Sequence, residues 1–104
     1  GLLAIGVPLE IGQKIMFCRR DSQTAHDDLT RMLLDIKQRA TSSIRGAVYF
    51  TCLGRGPNMF GGQSGELAAI KNELGDVPLI GFFCNGEISY NRVYSYTGVL
   101  SLFL

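Results

Sequence analysis

The sequence predicts an α/β domain, with α+β as the close variant. Short apolar runs of strand length alternate with two helical stripes, and the glycines gather just after two of the runs. The expected order is ββαβαββ around a central mixed sheet containing one parallel β-α-β crossover. At 104 residues the chain has room for a single domain spanning 1–104.

Taken in order, Leu2–Ile5 is apolar, Gly6-Val7-Pro8 and Glu10-Ile11-Gly12 punctuate it, and Lys14–Cys18 resumes the apolar run. That pattern predicts two strands and a connection. From Ala25 onward Leu29, Met32, Leu33, Ile36 and Ala40 recur at helical spacing, which predicts a helix over about 22–41. Asp21 or Ser22 serves as its N-cap, Asp27 and Asp28 lie near its start, and Lys37 and Arg39 lie near its end, as the helix dipole favours.

Ala47–Leu53 is short, β-branched and aromatic, and apolar on both alternating faces, which predicts a central strand covered on both sides. Leu67, Ile70 and Leu74 form a second stripe, predicting a helix at about 64–74 with Ser64 as cap and Gly75 as the left-handed stop. Pro78 opens a further strand, Leu79–Cys84, and Thr97–Leu104 is the last.

Composition narrows the function classes. A hydrophobic share of 46 % with 18 % charged residues belongs to a folding chain, not a disordered one. A formal charge of +1 lacks the concentrated basic surface that nucleic acid needs. No apolar run reaches the ~20 residues of a membrane span, so a soluble protein is expected. Cys18, Cys52 and Cys84 are odd in number and far apart, matching neither a disulfide framework nor a zinc site, and a reducing, cytoplasmic setting fits them best. The chain opens on Gly1 without a signal-peptide pattern and is expected to be a piece of a longer protein.

A β-α-β crossover places the carboxyl ends of its two strands on one edge of the sheet, where open α/β sheets bind ligands. Gly54-Arg55-Gly56 and Asn85-Gly86-Glu87 follow those strands immediately. Arg55 offers a planar fork for a carboxylate and Glu87 can hold an ammonium, while the amides at Gly54, Gly56 and Gly86 and the side chains of Asn58 and Asn85 complete the hydrogen bonds. These seven residues are the candidate ligand site, suited to a small zwitterion. Met59 stands where a dinucleotide fingerprint needs its third glycine, and Gly56-x4-Gly61 is followed by Gly62-Gln63 without the Lys and Ser/Thr of a phosphate loop.

The runs Cys52-Leu53-Gly54-Arg55-Gly56, Gly81-Phe82-Phe83-Cys84-Asn85-Gly86-Glu87-Ile88 and Tyr96-Thr97-Gly98-Val99-Leu100, in that order, resemble the C-terminal domain of FIST (F-box and intracellular signal transduction) proteins. The likeness is specific from about Ile44 onward and looser before it. It implies a sensory domain of an intracellular signal-transduction protein that binds a small ligand such as an amino acid. It further implies an N-terminal FIST domain of the same protein as a partner, and the F-box relative implies protein interaction as an alternative role.

The bland readings stand beside these. The glycines can serve only as turn formers, and Arg55 and Glu87 can pair with each other. Cys52 and Cys84 end adjacent strands, so a thiol redox sensor is the third alternative, against the usual inertness of buried cysteines. His26, the lone histidine, is expected to be a solvated side chain near the helix start. With no second histidine and no nucleophile elbow, neither a metal site nor a catalytic triad assembles, so no enzyme activity and no cofactor are expected. Tyr90, Tyr94 and Tyr96, with Arg92, can flank a pocket or an interface as well as fill half-buried strand positions.

Overall fold

The computed structural model describes residues 1–62 and 65–104. Its elements are α1 (Ser22–Arg39), β1 (Gly46–Cys52), a 3-10 turn (Leu53–Arg55), α2 (Gly56–Phe60), α3 (Gly65–Leu74), β2 (Leu79–Cys84), β3 (Glu87–Ser89), β4 (Arg92–Tyr94) and β5 (Gly98–Phe103). The main sheet runs β2-β1-β5, and β3 and β4 form a separate hairpin. β1 and β2 are parallel, with Cys52 opposite Cys84, while β1 and β5 are antiparallel. The expected crossover and mixed sheet are therefore present, and the turns after β1 and β2 leave the same edge.

α1 starts where the sequence places it. The Asp21 carboxylate accepts from the Thr24 amide at 3.0 Å and from the Thr24 hydroxyl at 3.0 Å, satisfying a free donor of the first turn. The helix ends at Arg39, short of the expected 41. α3 stops at Gly75, whose φ of +82° lets its amide reach back to the Lys71 carbonyl at 2.9 Å. The expected cap Ser64 lies outside the described residues.

All the helices lie on one face of the sheet. Leu29 and Leu33 of α1, Ile70 of α3, Phe60 of α2 and Tyr49 of β1 form the core, with Leu79 and Leu100 packed beside them. His26 departs from its solvated expectation and meets the Phe60 ring edge-on at 4.7 Å. Alternation along the strands sends Val48, Phe50, Ile80, Phe82 and Val99 to the opposite face. No element among those described covers that face: Ile80 is 72 % and Phe82 63 % exposed, and the Phe50 and Phe82 rings meet edge to face at 5.0 Å. The expectation that β1 is covered on both sides is thus corrected.

The two N-terminal strands also require correction. Residues 1–20 carry no strand and every one is exposed. A strand needs a ladder partner, and this segment has none within the described chain; its local bonds close only the turn in which the Gln13 amide donates to the Glu10 carbonyl. The separate α2 turn and the β3–β4 hairpin are additions to the expected order.

Leu33 is wholly buried and Leu34 half-exposed on the same helix. Leu33→Ala is expected to lower unfolding stability by about 3 kcal/mol and Leu34→Ala by less than about 1 kcal/mol, read from urea denaturation midpoints.

Candidate functional site

The carboxyl edge is organised around a buried carboxylate that the sequence reading did not single out. Glu66, in the first turn of α3, is 6 % exposed. Its Oε1 accepts from the Tyr49 hydroxyl at 2.8 Å and from Arg55 Nε at 2.8 Å, and its Oε2 accepts from the Thr51 hydroxyl at 2.8 Å. Tyr49 and Thr51 sit two apart on the helix-covered face of β1, so β-strand periodicity aims both at one point. A signal for Glu66 exists in the sequence: it lies four residues before Ile70, on the core-facing stripe of the helix.

Arg55, at the end of the 3-10 turn, pairs with Glu66 and not with Glu87. Its Nη1 also donates to the Tyr96 carbonyl at 3.3 Å, and the guanidinium lies 4.9 Å from the centre of the Phe60 ring. Burial works against the cation, but the hydrogen bond to Glu66 and the neighbouring charges hold the Arg55 pKa above its ordinary value. Burial, reinforced by the Glu66 charge, pushes the Tyr49 phenol up to about 12. Of the five guanidinium N–H groups, two are engaged in these bonds, and the other three have no hydrogen-bond partner among the described residues.

Two adjoining hollows border Arg55. One of 190 Å³ is lined by Arg19, Arg20, Asp21, Thr24, Asp28 and Tyr96 among others; the second, of 170 Å³, shares Asp28, Arg55 and Tyr96 and adds Tyr49, Thr97 and Gly98. Tyr96 divides them. Its backbone has φ +60°, a region costly for an aromatic residue, and several contacts hold it there. The Arg20 guanidinium stacks 4.0 Å above its ring, and Gly54 lies beneath, where an added Cβ would come within 2.7 Å of the ring. A side chain at position 54 would therefore displace the Tyr96 ring.

The other residues of the expected site lie along the same edge but outside these two hollows. Gly56 is buried at the start of α2, and Asn58 and Asn85 are exposed. Gly86 has φ +153°, and a Cβ there would meet the Tyr94 carbonyl oxygen at 2.6 Å, so it allows the turn into β3. Glu87 accepts from the Cys84 thiol at 3.0 Å and from the Thr97 hydroxyl. The Glu87 hydrogen bond, with burial adding to it, pushes the Cys84 thiol up, opposite to what a reactive thiolate needs. The 96–97 turn joins the two halves of the edge, because Tyr96 contacts Arg55 and Thr97 contacts Glu87. Among the described residues no cluster of three metal-ligating side chains occurs, and no helix is long and apolar enough to cross a membrane.

Removing one member of a buried ion pair strands the other charge. Glu66→Ala is expected to cost about 3–5 kcal/mol in urea denaturation, and Arg55→Met combined with Glu66→Leu is expected to recover much of that loss. For Tyr49 the folded pKa is raised above the unfolded one, so its contribution is complete below about 10 and is lost as pH rises towards about 12. Phenolate absorbance is expected to show one tyrosine titrating near 12, and Tyr49→Phe is expected to abolish that step.

The FIST C domain family matches residues 1–90 of the chain. The uncharacterized proteins Rv0628c of Mycobacterium tuberculosis strain H37Rv and Mb0898c of Mycobacterium bovis are each 33 % identical to it over 108 aligned residues. The alignment covers 100 % of this chain and 28 % of each relative, so the chain spans little more than a quarter of their length. No solved structure gives a significant match. On this extent of similarity the chain belongs to the FIST C domain family, a class of sensory domains in signal-transduction proteins.

Proposed function

We propose that this domain binds a small zwitterionic metabolite, with amino acids the leading class, and that binding is passed to an N-terminal FIST domain of the same protein. The observation that carries the reading is Arg55: two of its N–H groups are tied to Glu66 and Tyr96, and it borders both hollows with three N–H groups that have no partner among the described residues. A guanidinium oriented in advance recognises a carboxylate without losing much side-chain entropy on binding. Arg20, stacked on the Tyr96 ring, adds a second cation, and Asp28, whose Oδ1 accepts from Arg31 at 2.6 Å, keeps its Oδ2 for an ammonium. Within the proposed region Gly54 makes room for Tyr96, while Gly56, Asn58, Asn85, Gly86 and Glu87 form the continuing edge towards β3. The backbone strain at Tyr96 agrees with a binding role, since strain of this kind gathers at ligand clamps.

Calorimetric titration with the common amino acids is expected to find at least one that binds. Arg20→Ala and Asp28→Asn, both outside the buried network, are each expected to weaken it about tenfold or more. Unchanged affinity in both variants, or no heat with any amino acid, would sink this assignment.

A second reading, protein interaction, is favoured by the β3–β4 hairpin, which holds Ile88, Tyr90 and Val93 out to solvent. It predicts partner capture that survives Arg20→Ala and is lost with Tyr90→Ser and Val93→Ser.

A further inference from the structure

The charges around the first hollow do not cancel. The guanidiniums of Arg19, Arg20 and Arg55 line it against the carboxylates of Asp21 and Asp28 alone. Both oxygens of Asp21 are engaged close by: Oδ1 accepts from the Thr24 amide at 3.0 Å, and Oδ2 accepts from the Thr24 hydroxyl at 3.0 Å and from Arg19 Nε at 3.2 Å. Asp28 gives its Oδ1 to Arg31 at 2.6 Å, and Arg55 is paired with Glu66. Arg20 is left over, because no carboxylate among the described residues pairs with it.

What holds Arg20 is the Tyr96 ring, whose centre lies 4.0 Å from the guanidinium carbon. Stacking uses the π surface of the guanidinium and leaves the N–H groups around its rim free to bind an anion. It also restricts the side chain, so less entropy is lost when a ligand arrives. Tyr96 is fixed in turn by its carbonyl, which accepts from Arg55 at 3.3 Å, and by the close approach of its ring to Gly54. The hollow thus offers two arginines with N–H groups to spare, Arg20 and Arg55, and one uncommitted carboxylate oxygen, Asp28 Oδ2. That set matches two carboxylates and one ammonium. A volume of 190 Å³ lies below the roughly 300–1,000 Å³ of pockets for drug-sized ligands, which suits a small acid and not a nucleotide.

We infer that the ligand of this site is an acidic amino acid, with its main-chain carboxylate on Arg55, its ammonium at Asp28 and its side-chain carboxylate on Arg20. The inference rests on the ligand site proposed above and adds the residue that sets its specificity. A neutral amino acid leaves Arg20 without an anion, and a basic one sets like charges together there. A dicarboxylate lacking the ammonium turns an anion towards Asp28, so each competitor is disfavoured by a named group.

Calorimetric titration of the full-length protein with ligands that differ in one group tests this. The better ligand of aspartate and glutamate is expected to bind about tenfold or more tightly than its own amide, asparagine or glutamine, and than succinate or glutarate. Arg20→Gln, at an exposed position, is expected to bring acid and amide to within about threefold of each other without moving the urea midpoint. An amide that binds as well as its acid would overturn the inference and leave the amino-acid site standing, as would a preference that persists in Arg20→Gln. Succinate or glutarate binding as tightly as the amino acid would overturn the role given to Asp28. No binding of any amino acid would remove the site and the inference together.

Discussion

The carboxyl edge of this domain depends on one buried ion pair, Arg55 with Glu66. Taking both charges out of water is costly, and the cost is met only because every strong donor near Glu66 is aimed at it: Tyr49 and Thr51 from the sheet, Arg55 from the turn beyond. No buried side-chain polar atom is left without a partner among the described residues. The pair thereby locks the end of β1 to the start of α3. By holding the Tyr96 carbonyl it also fixes the return into β5. Residues 49–55 and the start of α3 meet at a single carboxylate, a third stretch joins them at Tyr96 through Arg55, and the hollows beside Arg55 inherit their shape from that meeting.

A second constraint runs through the sheet. Its helix-covered face closes on a small core, while the opposite face stays apolar and open. Sequence alternation alone cannot distinguish these faces, because β1 and β2 are apolar on both. The same physics explains the N-terminal segment. Its residues suit strands, but a strand is a pairing and not a property of one segment, so no ladder forms where no partner is present.

The two polar turns on the carboxyl edge have separate duties. Arg55 is committed to Glu66 in one direction and borders the hollows in the other, while Glu87 is occupied by Cys84 and Thr97. Turns that leave the same edge of the sheet therefore do not face the same space. Arg20, just before the α1 cap, and Asp28, in the second turn of α1, border the first hollow, in a region where the sequence offered only a cap and a few charges.

The sequence by itself determined the helical stripes, the cap at Asp21, the stop at Gly75, the parallel crossover and the family resemblance. Each depends on local spacing or on contiguous residues, and such signals are complete within a short stretch of chain. Only the tertiary structure decided that Glu66 is Arg55's partner, that Tyr96 lines two hollows, and that one face of the sheet is open. Those facts depend on which side chains converge from distant segments, and a buried carboxylate looks the same in a sequence as a solvated one until its donors are brought to it.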